Sequence, residues 1–248
     1  MYFKCPPSPV DDTFIGEGDI STPVNMEDFD IAVFDMDGTL YSTDTSIVPA
    51  VQETFLELGL PEPPVEEIED LIGRPDVHYH MWLKEHAGEH ADIIVEAVSK
   101  REVSLVGQRG YLFPRTREML QELRAMDVRT ALLTNAGKGY CMMVLETFDI
   151  KDLFDAISWY ESGDGTKTER LRGIIQGFGG GPAVMVGDRF YDFEAAREVG
   201  CTSIGVSHGY GNDELEKADI VVRGLWGIVE IKLRAIVRKK DRTKERGD

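Results

Sequence analysis

Ile31-Ala-Val-Phe34 is a continuous apolar run of strand length, and Gly38 just beyond it marks a sharp turn. The period then changes. Ile47, Val51, Phe55 and Leu58 recur at helical spacing, and Gly59 closes the segment. Pro61, Pro63 and Pro64 precede a second expected helix carrying Ile68, Leu71 and Ile72. Further helices are expected over 76–85 and 89–106, and no strand pattern interrupts residues 45–109.

Beyond that block the pattern alternates. Pro114 opens a helix with Met119, Leu120 and Leu123, and residues 128–133 read as a strand. A helix over 139–148, a short strand over 156–159 and a helix over 168–176 follow. Residues 183–186 are a buried strand, 190–199 a helix, and 202–206 and 218–222 the last two strands. Strands separated by helices imply βαβ units, so an α/β fold with a mainly parallel sheet and helices on both faces is expected. Such sheets bind ligands at the carboxyl ends of their strands. The helical block inserted after the first strand is the candidate cap domain, 45–109. The α/β core would comprise 29–44 and 110–238, with an irregular arm at 1–28 and a basic tail at 239–248.

Composition narrows the partners. The chain has 248 residues, enough for a substantial core, and a net charge of -18. That acidity argues against nucleic acid, whose phosphates need a basic surface. No apolar stretch approaches a membrane span, and residues 1–10 lack the apolar run of a signal peptide. Three cysteines at unrelated spacings, Cys5, Cys141 and Cys201, fit a reducing cytoplasm better than a disulfide scaffold. Residues 232–246 are basic and are expected to form a solvated, partly frayed helix end. The periodicity marks no exposed interface, so monomer and homodimer both remain open.

Four segments carry candidate chemistry, each at an expected strand end. Asp35-Met-Asp37-Gly38-Thr39 places two carboxylates around a turn. They suit ordinary turn aspartates, or a shared Mg²⁺ and phosphate site in which one aspartate attacks phosphorus and the other handles protons. Thr134-Asn135 offers phosphate donors or a helix cap. Lys167 is a phosphate partner or a solvated loop lysine. In Gly187-Asp188-Arg-Phe-Tyr-Asp192, Asp188 suits a metal ligand. Asp192 can orient a water, buttress a lysine, or favour a helix dipole. Several like charges on one rim are costly unless a cation sits among them.

These segments, in this order, resemble the haloacid dehalogenase superfamily in its phosphoglycolate-phosphatase-like and nucleotidase-like branch, over about residues 29–222. The resemblance implies a Rossmann-like three-layer core with a small all-helical cap. It also implies Asp35 as nucleophile, Asp37 as general acid–base and, through its backbone carbonyl, a Mg²⁺ ligand. Thr134 and Lys167 would act on the phosphate, with Gly38, Thr39 and Asn135 beside it. Asp188 would complete the metal set with Asp35 and Asp37, and Asp192 would lie behind them. Two positions depart from many members: Thr168 follows Lys167 where proline is common, and Arg115 follows Pro114 where glycine is common.

The expected activity is Mg²⁺-dependent hydrolysis of a small phosphomonoester, phosphoglycolate or a nucleoside monophosphate, through an aspartyl phosphate. A phosphosugar mutase of the β-phosphoglucomutase type would share these motifs. A catalytically silent phosphate-ligand binding protein is the reading from another class. Arg74, after Gly73 between cap helices, could contact a substrate anion or be merely solvated. His86 and His90, four apart, could chelate a metal only if Gly88 did not break the helix.

Overall fold

The computed structural model describes residues 28–245, with side chains to 239; the expected N-terminal arm, apart from Asp28, lies outside them. The apolar run Ile31–Phe34 forms β1, every residue of it buried. Apolar side chains on both faces of a strand demand cover on both sides, and the sheet provides it. β2 (Arg129–Gly137), β3 (Ala156–Tyr160), β4 (Ala183–Gly187), β5 (Thr202–Val206) and β6 (Ile220–Val222) join β1 in the order β3-β2-β1-β4-β5-β6. All five pairings are parallel.

Helices α5 (Thr116–Ala125), α6 (Lys138–Thr147) and α9 (Trp226–Glu245) cover one face through Leu120, Val144 and Ile228. Helices α7 (Lys167–Gly177) and α8 (Phe190–Val199) cover the other through Leu171 and Ala196. The result is three layers with β1 at the centre and strand order reversing about it, the crevice position at which doubly wound sheets bind ligands.

The block between β1 and α5 contains helices α1 (Asp44–Glu57), α2 (Val65–Glu69), α3 (Asp76–Ala87) and α4 (Ile94–Arg109). It has its own apolar centre, including Phe55, Ile68, Leu83, Ile94 and Val98. α4 starts later than its periodicity suggests because Gly88, at φ 55°, ends α3 and a 3₁₀ turn intervenes.

Three other differences have local causes. β2 runs past Leu133 to Gly137, its pairing with β3 shifting register between them, so Thr134 and Asn135 lie within the strand. β6 loses Asp219, whose carboxylate instead accepts from the Ser203 amide and hydroxyl, both at 2.8 Å. The basic run at 232–246 is not uniformly solvated. Lys232 is 3% exposed and its Nζ lies 2.6 Å from an Asp28 carboxylate oxygen, with a second bond to the Phe29 carbonyl. A lysine inside a basic run reads as solvated unless its acidic partner, 204 residues earlier, is known to fold beside it.

The departure at Arg115 also has a structural answer. Arg115 takes φ 64°, the left-handed conformation that favours glycine, and its guanidinium stacks 3.4 Å from the Trp226 ring centroid.

Candidate active site

The ends of β1, β2 and β4, with the start of α7, converge on Asp35. This residue continues β1, its amide donating to the Val186 carbonyl at 2.8 Å, and it is 2% exposed. Lys167, the first residue of α7, approaches from the side. Its Nζ lies 2.6 Å from Asp35 Oδ1 and 2.6 Å from Asp192 Oδ1. Thr166 caps α7 by accepting from the Glu169 amide, and Glu169 accepts in return from the Thr166 amide. The position after Lys167 thus belongs to a capped helix, and Thr168 fits there without a proline.

Asp188, fully buried after β4, accepts the Tyr210 amide on Oδ2 at 2.7 Å and the Thr39 hydroxyl on Oδ1 at 3.3 Å. Gly38 makes this packing possible. At φ 79°, a Cβ there would come within 2.5 Å of Asp188 Oδ2. Asp192 Oδ2 accepts the Arg189 amide at 3.1 Å.

Electrostatics mark these acids as incomplete. Burial drives the Asp35 pKa well up, Lys167 pulls it down, and the charges of Asp192, Asp37 and Asp188 push it up again. Asp188 is pushed up to about 7, chiefly by burial and then by Asp192. Burial opposes the charge on Lys167, but Asp192 and Asp35 outweigh it and raise its pKa. Asp35 Oδ2 is buried without a hydrogen-bond partner. One oxygen from each of Asp35, Asp188 and Asp192 lies within 4.8 Å of the others. An all-oxygen, anionic donor set fits a hard divalent cation. Among the described residues no other group of three or more potential ligands gathers in this way.

The Asp37 carboxylate is not part of that cluster. Its Oδ1 accepts from Thr43 at 2.8 Å and from Tyr140 at 3.1 Å, and its Oδ2 from Thr134 at 3.4 Å. Burial raises its pKa against the pull of these three donors. Asn135 bridges two layers, donating to the Gly73 carbonyl at 3.3 Å and accepting from Arg170 at 2.9 Å. Arg170 also donates to the Thr134 carbonyl at 2.8 Å, fixing β2 beside the site.

The sequence profile of the family described as haloacid dehalogenase-like hydrolase matches residues 32–206, well over half of the chain. The chain belongs to that family. This haloacid dehalogenase-like hydrolase is 26% identical over 235 residues to the phosphoglycolate phosphatase of Vibrio parahaemolyticus, covering 84% of this chain and 98% of that one. A haloacid dehalogenase-like hydrolase from Streptococcus pneumoniae shares the fold, with a TM-score of 0.70 at 22% identity over 82% of this chain and 98% of the other. Mycobacterium tuberculosis Protein Tyrosine Kinase A is similar too, with a TM-score of 0.62 at 26% identity, covering 75% of this chain and 87% of that one.

Within the hydrolase, Asp35, Asp37, Gly38, Thr39, Thr134, Lys167, Asp188 and Asp192 gather at one end of the sheet. Arg74 lines a cavity next to Asp37, but its Nε donates to the Asp70 carbonyl and its Nη2 to the Asp70 carboxylate, both at 2.6 Å. His86 accompanies Trp82 and Glu67, whereas His90 approaches Glu89. Sequence reasoning missed Thr43, Tyr140 and Arg189. Arg189 had a signal, sitting inside the Gly-Asp-x-x-x-Asp segment, whereas Tyr140 lies on a helix whose facing residue is 103 positions away.

Proposed function

We propose that this hydrolase cleaves a small phosphomonoester with Mg²⁺, through an aspartyl phosphate on Asp35. The observation that carries the proposal is the asymmetry of Asp35: Oδ1 is held by Lys167 while Oδ2 is buried and unpartnered. One oxygen is anchored and the other is left for phosphorus. Asp35 and Asp188, with the Asp37 carbonyl, are the residues to hold the cation, which supplies charge neutralisation to the phosphoryl oxygens. Asp192, already paired with Lys167, acts as that lysine's positioning partner.

The chain's own groups then divide the work. Asp35 attacks phosphorus as the bond to the leaving oxygen breaks, and Lys167 stabilises charge on the transferring group. Asp37 donates a proton to the departing alkoxide. Its raised pKa and its three donors suit a carboxyl that must hold a proton and stay oriented. Ionised again, it takes a proton from water, which cleaves the aspartyl phosphate and releases inorganic phosphate. Thr134 steers Asp37 and stands beside the phosphate position.

Phosphoglycolate and nucleoside monophosphates are the first esters to test, the former because it gives the Vibrio relative its name. The decisive measurement is phosphate release with Mg²⁺ by the wild type and Asp35→Asn, with intact-mass detection of phosphorylated enzyme. Loss of turnover and of the phosphorylated species in Asp35→Asn is expected. Substantial turnover by that variant would overturn the nucleophile assignment. Phosphoryl transfer to a sugar phosphate with little release to water would instead make the enzyme a mutase.

A further inference from the structure

The two oxygens of the Asp37 carboxyl are held unequally. Oδ1 accepts from two hydroxyls, Thr43 at 2.8 Å and Tyr140 at 3.1 Å. Oδ2, among the described residues, accepts from Thr134 alone, at a longer 3.4 Å. A carboxylate oxygen offers about two lone-pair sites, so both sites on Oδ1 are taken and one on Oδ2 is free. A proton on Oδ1 has to displace one of two donors, whereas a proton on Oδ2 meets a single long contact. Oδ2 is also the oxygen on the Thr134 side, where the phosphate position lies.

The two donors to Oδ1 come from different parts of the fold. Thr43 directly precedes α1, the first helix of the helical block. Tyr140 stands on α6, and its half-buried ring packs against the large apolar core on that face of the sheet. Thr43 has a second acceptor within reach, the Tyr41 carbonyl at 3.4 Å. The Tyr140 hydroxyl has no acceptor but Asp37 among the described residues. A phenol on a packed ring, with one acceptor, holds that acceptor in one orientation.

We infer that Tyr140 is a positioning residue for the proton transfer: with Thr43 it occupies Asp37 Oδ1, and so makes Oδ2 the atom that delivers the proton to the leaving oxygen. This deepens the phosphomonoesterase reading and rests on it. As the phosphorus–oxygen bond breaks, its electron pair stays on the leaving oxygen, which takes the proton from Oδ2, and the phosphoryl group passes to Asp35. The phenol itself neither gains nor loses a proton. Thr134 is compatible with a proton on Oδ2, because its hydroxyl oxygen accepts from the Ala136 amide at 3.0 Å and keeps a second lone pair.

Proton delivery matters more as the leaving oxygen becomes more basic, so the test varies that basicity at nearly constant shape. The full chain with Mg²⁺ is assayed on phenyl phosphate, whose phenoxide needs a proton, and on 2,4-dinitrophenyl phosphate, whose phenoxide leaves without one. The quantity compared is kcat/KM, which covers events up to loss of the leaving group and not the later hydrolysis of the aspartyl phosphate. Tyr140→Phe keeps the ring and deletes the hydroxyl. In it the phenyl-to-dinitrophenyl ratio of kcat/KM should fall about fivefold or more below that of the wild type. A ratio within one variant cancels any loss of folded enzyme. A smaller shift, whatever the absolute loss, overturns the inference and leaves the phosphatase reading intact, because a purely structural role slows both esters alike. Release of phosphate from neither ester by the wild type removes the phosphatase reading and the inference together.

Discussion

Arg189 Nε donates to the main-chain carbonyl of Ile72 at 2.8 Å, joining the residue after Asp188 to the loop that follows α2. The same guanidinium reaches the carbonyls of Asp70 at 2.6 Å and Glu69 at 3.2 Å, and Arg189 is 3% exposed. Asn135 grips the next residue of that loop, Gly73, from β2. The helical block is therefore tied to the core by two side chains, Arg189 and Asn135, that neighbour Asp188 and Thr134 in the chain.

Replacing Arg189 with Lys keeps one charge but loses the planar fork that serves several carbonyls at once. Each buried carbonyl left without its donor costs about 1–3 kcal/mol. Arg189→Lys should lower kcat/KM at least tenfold and speed amide hydrogen exchange across residues 69–74, with the core strands unchanged. Wild-type exchange in that loop would show that the contact does not hold it.

A cation should stabilise the fold measurably. Asp35, Asp188 and Asp192 bring three carboxylates together, of which Lys167 pairs with Asp35 and Asp192. A ligand that binds only the folded state stabilises by about 2.7 kcal/mol at a hundredfold excess over Kd. Mg²⁺ should therefore raise Tm by several degrees, chelation should reverse the rise, and Asp188→Asn should abolish it. A Tm indifferent to Mg²⁺ in the wild type would remove the metal assignment.

Much of this site was legible because its residues follow apolar runs that can only be central strands. Ile31–Phe34 and Ala183–Val186 are buried on both faces, so Asp35 and Asp188 had to emerge at neighbouring ends of one parallel sheet. The groups that tune the site were not legible, for a common physical reason: each is defined by a distant partner. Glu102 sits on a helix rich in charged residues and looks solvated until α4 is placed against α1 and the cavity. Tyr140 shows its role only when its hydroxyl is seen at Asp37. Arg74 reads as a free cation in sequence, and the fold gives that charge to Asp70.

The Arg115 backbone offers a separate test of local strain against stacking. A non-glycine residue in the left-handed conformation costs about 1–2 kcal/mol, and cation–π stacking on Trp226 returns about 0.5–2 kcal/mol. Arg115→Ala keeps the strain and loses the stacking, so destabilisation of about 1 kcal/mol is expected. Arg115→Gly loses both and should remain close to wild type. Chemical denaturation of the two variants checks the pair, and an alanine variant as stable as the glycine one would deny the strain.

Glu102 gives the protein a pH-dependent stability with a defined sign. Burial, reinforced by Asp37 and Asp76, pushes its pKa up to about 8 from an ordinary 4.5. Below about pH 4.5 the group is protonated in both folded and unfolded chains and does not favour either. Between 4.5 and 8 the unfolded chain has released the proton while the folded chain retains it. Stability therefore falls as pH rises through that window, by at most about 1.4 kcal/mol per pH unit for one proton, and levels off above it. Asp76, pushed up to about 6 by burial and then by Asp37, adds a loss of the same sign at lower pH. Glu102→Gln cannot ionise, so its unfolding free energy should decline less between pH 6 and pH 8 than that of the wild type. Denaturant unfolding of both proteins at those two pH values measures the difference. Equal declines would mean that Glu102 ionises in the folded protein as readily as in water, and that the cavity around it is wetter than its burial indicates.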